Sequence, residues 1–417
     1  MTRVRGKLMG STTMTRSGGP IIGALLSFAL LTSCGSPSFR SFDRSGVERS
    51  RTEEWSEDEV MELDDFLQPA EEVTSLVVEN RHGEVTIEGL KLGVGARPAP
   101  AFEWKLSCWA DDGPTAERLL DEVRLVRTFE DGRLSVRLEI PDEVREELTG
   151  LQSDLYITLA PEIPVDVENH FGQCTVRNMQ AAVNGDCSHC EVTLFQLRGR
   201  VKWATSFAPL YASALGESQL VNRHGALHVE GIGGDVEAST SFGAMEISEV
   251  RGSLKARNSH GALEIDNVDG SVDAKTSFGP LRVENAGDTA KLRNSHGSIH
   301  GTGLRGSVDA ETGFAEIDLE SAGERARIEN AHGEIRLAMT GQRIDRIDAS
   351  TTFAPLRLEI PEGLSPQVEV DQSFGSIRSA VPVNRPTPAE ASGPPVRLKV
   401  RHGDIEIELR PNNEAAL

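Results

Sequence analysis

Aromatic side chains are scarce in this chain: two tyrosines, four tryptophans and fourteen phenylalanines make up 5% of its 417 residues. So thin a supply of large apolar groups excludes a broad, bulky globular core. Basic residues are also short, 43 against 65 acidic ones, which leaves a net charge of −22. That balance excludes nucleic acid as a partner, because a phosphate backbone demands a basic face. Long hydrophobic runs are missing too. The longest, Ile21 to Leu31, has eleven residues, too few to cross a hydrocarbon layer of ~30 Å as a helix. No phosphate-cradling loop, nucleophile–base set or metal-ligand motif occurs, so no catalytic residue, metal or cofactor is assigned, and the chain reads as non-enzymatic.

What is present begins at the N-terminus. Arg3, Arg5, Lys7 and Arg16 precede the apolar run, and no acidic residue occurs before Asp43. This is the layout of a cleaved export signal, residues 1–33. It ends in Leu31-Thr32-Ser33-Cys34, which resembles the lipobox of bacterial lipoproteins. The resemblance implies that Cys34 becomes the lipidated first residue and anchors the protein to a membrane of the cell envelope. Gly35 rather than aspartate after the cysteine leans to the outer membrane. The alternative is an ordinary cleaved signal beside a chance cysteine. Without residues 1–33 the charge falls by their four cations to −26, which opposes self-association and adsorption to anionic lipid.

An internal repeat dominates the rest. Phe171, His189, Phe207, His224, Phe242, His260, Phe278, His296, Phe314 and His332 stand 17 or 18 residues apart, phenylalanine and histidine alternating without a miss; Phe353, Phe374 and His402 continue at longer spacings. Around each landmark, apolar and polar residues alternate, as in Ser271 to Val283 around Phe278 and Ser253 to Ile265 around His260. This predicts two short strands per repeat. One corner carries the Ser-Phe-Gly or Ser-His-Gly triplet, the other a glycine such as Gly252, Gly270, Gly287 or Gly306. Glycine at both corners is expected to supply positive φ.

Two strands and two corners make one coil of a narrow parallel β-solenoid, an all-β fold in which like positions stack at about 4.8 Å per rung. The inward columns are Ala238, Ala256, Ala274, Leu292, Ala310 and Ile328 on one sheet, and Leu263, Leu281, Ile299 and Ile317 on the other. An outward column tests the register. Glu237, Lys255, Asp273, Lys291, Asp309 and Arg327 alternate in sign, so each charge would lie between two opposite ones, worth roughly 0.2–1 kcal/mol per pair.

The His-Gly and Phe-Gly repeats, with Glu84-Val85-Thr86-Ile87-Glu88-Gly89 upstream, resemble a bacterial family known as putative adhesins, of unknown function. The resemblance spans about residues 72–410 and implies a β-rich N-terminal part, stacked parallel β-coils and export. It carries no catalytic residues. The strict His/Phe alternation and the cysteines near 174–190 depart from that family's pattern.

The organisation that follows is a signal peptide (1–33), a charged tether (34–70), a small α+β N-terminal cap with one short helix (71–168), solenoid repeats (169–380), a proline-rich loop (381–395) and closing strands (396–410). Within the tether, Trp55 and Phe66 offer an alternative docking segment. The cap covers a sheet edge that would otherwise invite aggregation.

Three groups of side chains are candidates for chemistry. The histidines stand two rungs apart, about 9.6 Å, too far to share a metal, so a structural ring stack is expected. Cys108, Cys174, Cys187 and Cys190 are expected to form disulfides in an oxidising compartment, with a bond among the last three favoured; a redox motif and a zinc site of Cys174, Cys187, His189 and Cys190 are the alternatives. The outward column Glu246, Glu264, Arg282, His300, Asp318 and Arg336 is what a carbohydrate-cleaving β-helix would need to draw on, and equally what a solvated sheet face looks like. The leading expectation is an envelope adhesin or scaffold that presents its sheet faces to another protein or a glycan; the rival is a carbohydrate-active β-helix.

Overall fold

The computed structural model describes residues 55–62, 72–90, 100–384 and 393–411. The expected signal peptide, Cys34 and most of the expected tether lie outside these residues.

Period-two alternation shapes every turn. In Val272–Thr276, Val272, Ala274 and Thr276 are buried while Asp273 and Lys275 face outward; past the Ser277-Phe278-Gly279 corner, Leu281 and Val283 are again buried. Eleven consecutive turns of this kind run from Val165–Asn169 and Gly172–Arg177 to Arg346–Thr351 and Leu356–Pro361. Each strand pairs in parallel with its equivalents above and below, as Asp273 does with Lys255 and Lys291. The result is a parallel β-solenoid of two sheets, one of 16 strands and one of 17. We call them the ladder sheet, which carries Asp273, and the facing sheet, which carries Leu281. The expected inward columns are all buried between them. No single turn encloses its own apolar residues, so the turns stabilise one another.

A third inward column was not expected. In the facing sheet Gln196, Ala214, Gly231, Glu249, Asn267, Asn285 and Gly303 have φ between 54° and 69°. Each left-handed residue flips the chain so that the next one, Leu197, Leu215, Ile232, Val250, Val268, Ala286 or Leu304, enters the core. Near the ends of the stack Gly83, Gly172 and Gly375 have positive φ as expected, but most corner glycines play a different part. Gly252 and Gly261 do not have positive φ; a Cβ on Gly261 would stand 2.2 Å from the carbonyl oxygen of Gly243, and one on Gly252 would stand 2.5 Å from that of Gly234. They are glycine because stacked corners touch backbone to backbone.

Both ends of the stack are rearranged in the same way. At the N-terminal end, Ser75–Asn80 and Val85–Gly89 form a solenoid rung, wedged between the first regular turn and an outer rung made by the later strands Arg133–Glu139 and Gly150–Leu159. The stack therefore starts inside the segment read from sequence as cap. The cap proper adds Ala101–Ala110 and Arg124–Glu130, antiparallel to that outer rung, and helix Gly113–Glu122, whose N-cap Asp112 accepts a hydrogen bond from Thr115 N. A second helix, Asp142–Glu147, replaces the tight corner of the outer rung; six residues with one buried side chain are too few to show a helical period. Trp55–Glu62, read from sequence as tether, is a strand along Glu103–Ala110.

At the other end, Pro395–His402 and Ile405–Arg410 insert between the last regular turn and the outermost strands, Gln367–Phe374 and Ile377–Ser379. The expected closing strands are thus the penultimate rung. Of the proline-rich loop, residues 385–392 lie outside the described residues.

Candidate functional site

The landmark rings form one column along a corner of the rod. Neighbouring centroids are 4.6–5.4 Å apart and neighbouring planes are within 25° of parallel. The column begins at His82, which the sequence series omitted although Asn80-Arg81-His82-Gly83 repeats the corner motif. It ends Phe353, His402, Phe374. Chain order breaks the alternation there, and the swapped rungs restore it in space. Within the column stacking covers the ring faces and leaves only edges to solvent; Phe374, stacked on one side only, is the most exposed of its phenylalanines. His260, His296 and His332 each place Nδ1 3.0–3.3 Å from a carbonyl of the preceding corner. A carbonyl only accepts, so Nδ1 carries the proton and donates it. Burial, helped by Arg81 and His170, holds His82 below the ordinary histidine range.

Beneath the rings lies a buried polar column of Asn80, Asn169, Thr205, Asn222, Thr240, Asn258, Thr276, Asn294, Thr312, Asn330 and Thr351. Asn294 shows its work. Nδ2 donates to Gly279 O and Ser298 O, while Oδ1 accepts from the amides of His296 and Gly297. Of the threonines at phenylalanine corners, Thr240, Thr312 and Thr351 each donate one bond to a corner carbonyl, as Thr312 does to Gly297 O, whereas the Thr205 and Thr276 hydroxyls are buried without a partner. The bonded side chains satisfy backbone groups that the sharp corner leaves unpaired.

The charge ladder stacks in the expected register, and three further members, Asp348, Arg397 and Glu369, continue the alternation in spatial order. Its ion pairs are partly diagonal. Lys255 reaches Glu237 at 2.5 Å, but Asp273 and Asp309 are held by Arg257 and Arg293, two residues along the strand, at 2.7 and 2.6 Å. Burial pushes the Asp273 carboxyl up, but the Arg257 hydrogen bond and charge, with Lys291 and Lys255, bring it below the usual carboxylate range.

On the facing sheet Glu246, Glu264, Arg282, His300, Asp318 and Arg336 also lie in register. They sit one per rung on an open face. A shallow groove of about 580 Å³ runs past Phe195, Tyr211, His228, Glu246, Glu264 and Arg282. Tyr211 and His228 stack, and His228 meets Glu246 at 3.0 Å. Nearer the cap, Glu88 accepts hydrogen bonds from Tyr156, Arg177 and Asn178, which hold its carboxyl below the ordinary range.

All four expected disulfide cysteines are buried and present as thiols. Cys187 takes a place in the buried Asn/Thr column and contacts both Cys174 and Cys190. Cys190 stands in the corner-glycine column above Gly172, its Sγ 3.4 Å from Asn169 O. The hydrogen bond with Cys174 pushes the Cys187 thiol up and that with Cys187 pushes the Cys190 thiol up, burial adding to both, and burial alone pushes Cys108 to about 12. The alternative zinc set is not assembled, because His189 turns outward to stack between Phe171 and Phe207. Among the described residues no group of three or more His, Cys, Asp or Glu is placed to hold a metal ion.

No protein-family model matches this chain, and no curated protein is detectably similar to it. Three solved structures are similar in outline. A putative cell adhesion protein from Clostridium sporogenes shares 6% identity over 85% of this chain and 100% of its own, at a TM-score of 0.19. A putative adhesin from Bacteroides fragilis shares 12% over 86% and 98%, at 0.15. A putative lipid-binding protein from Parabacteroides distasonis shares 11% over 85% and 96%, at 0.18. At such TM-scores these likenesses carry no argument about function.

Proposed function

We propose that this protein is a non-enzymatic, lipid-anchored scaffold or adhesin of the bacterial cell envelope, presenting two flat sheet faces to a protein or glycan partner. The observation that carries this reading is the disposition of its polar side chains. Charged groups on both faces repeat once per rung along a rod instead of converging on a cleft, and catalysis needs convergence whereas recognition of an extended partner does not. The anchor rests on Leu31-Thr32-Ser33-Cys34 and the basic, apolar segment before it. Outer-membrane placement follows from Gly35 and is the finer part of the proposal.

Two experiments test it. Cys34→Ser should abolish incorporation of labelled fatty acid and release the protein from membranes; labelling that persists would sink the anchor. Incubation with a glycan array should give binding without turnover. Polysaccharide cleavage lost on changing Glu264 or Asp318 would replace the scaffold with a carbohydrate-active enzyme.

A further inference from the structure

The same turns of the rod carry opposite charges on opposite faces. On the ladder sheet, Lys255, Arg257, Lys275, Lys291 and Arg293 project from three consecutive strands, Leu254–Asn258, Val272–Thr276 and Ala290–Asn294, with Asp273 the only acidic residue among them. On the facing sheet, Glu230, Glu246, Glu264, Asp266 and Glu284 project from four, Leu227–Ile232 to Leu281–Ala286, with Arg282 the only lysine or arginine. A basic island is against the average in a chain of net charge −22. It is not used up internally either. Among the described residues, Lys275 and Lys291 on one face and Glu230 and Glu264 on the other make no ion pair within 4.0 Å.

We propose that these faces bind each other between copies, the acidic strip of one rod lying against the basic island of the next. A second copy fits because both combs of charge are built on one rise per rung, so a displacement of one or two rungs sets carboxylates opposite cations along the whole patch. Flat sheet faces pack at about 10 Å, close enough for these side chains to meet. The contact is heterologous. Each rod keeps one face free, so association gives open rows of rods rather than closed dimers. Whole-rod repulsion opposes it, but at physiological ionic strength charges beyond about 8 Å are screened while those in contact are not. Association therefore peaks near that ionic strength, weakening toward about 0.01 M salt, where repulsion reaches further, and toward 1 M, where the contacts themselves are screened. This goes beyond the scaffold reading and stands without it.

Sedimentation velocity of the full chain across protein and salt concentration tests the proposal. The wild type should grow beyond dimers near 0.15 M salt and dissociate at both extremes. Lys275→Glu with Lys291→Glu leaves the island three cations against three acids, and Glu264→Lys with Asp266→Lys leaves three of the named carboxylates against three cations, so each double variant cancels the charge of one face and keeps the other intact. Each double variant alone should associate at least about tenfold more weakly than wild type, and mixing the two should restore association, a rescue that misfolded chains could not give. A wild type that stays monomeric at every concentration and salt overturns the proposal. So do variants that associate like wild type, or a mixture that does not. A monomeric rod that binds polygalacturonate through Lys275 and Lys291 overturns it in favour of an anionic-glycan site.

Discussion

Replacing Asn294 by alanine removes four hydrogen bonds at one corner, two donated to Gly279 O and Ser298 O and two accepted from the amides of His296 and Gly297. Each such bond contributes about 1 kcal/mol net, and more where its partner is left buried without water. Asn294 is itself buried, but the corner above it opens to solvent, so some freed groups recover a water. The expected loss is therefore about 2–4 kcal/mol rather than the full desolvation of four groups. Asn294→Thr supplies the control. Threonine holds this place at phenylalanine corners and can keep one bond of the four, as Thr312 does, so its loss should be about three-quarters that of alanine. Equilibrium unfolding of the full chain measures the difference. Hydrogen exchange at the Gly297 amide locates it, since that amide loses its acceptor in the alanine variant. If Asn294→Ala stays within about 0.5 kcal/mol of wild type and Gly297 remains protected, the Asn/Thr column is not what holds the corners.

Other predictions rest on charge and thiols. Asp273→Lys sets a cation against Arg257, Lys255 and Lys291, and should lower the melting temperature at low salt with partial recovery as salt is raised; an unchanged melting temperature at low salt would count against the stacking. Asp273 has a depressed carboxyl in the folded state, so its contribution is present above the unfolded value near 3.9 and vanishes as pH falls through the folded one. Asp273→Asn should then lose up to about 1 kcal/mol at pH 7, given its part exposure, and progressively less as pH falls through the folded value; a loss that does not shrink on acidification would rule that out. Tyr156→Phe removes the largest of the interactions that depress Glu88 and should bring its titration, followed by NMR, back toward the ordinary glutamate value. Oxidative refolding with glutathione disulfide should leave Cys108 free and join Cys187 to Cys174 or Cys190, which it touches; four alkylatable thiols at 34-independent positions after unfolding would exclude the bond. In the folded, reduced protein the buried Cys108, raised to about 12, should resist iodoacetamide until the chain opens.

Much of this protein is written locally. Alternation with period two, a landmark every 17 or 18 residues and alternating charges at Glu237 to Arg327 together determine coil length, register and which side chains face inward, because a stacked turn meets only its neighbours. The ring column and the separation of its histidines follow from the same spacing. The cysteines were legible as a group, but not the turning away of His189, which depends on φ at the corner.

Three matters were decided only by tertiary structure. The swapped rungs at both ends join segments far apart in the chain, such as Val85 with Leu155 and Cys174, and no local pattern records which of two similar strands lies outermost. The part played by the corner glycines depends on the backbone of the turn beneath, as with Gly261 above Gly243. The opposed charge of the two faces appears only when strands nine or so residues apart are known to lie back to back. A repeat fixes what happens within a turn and between successive turns, since those contacts are its period; where the succession is broken, the order of packing is settled by which edges are left to cover.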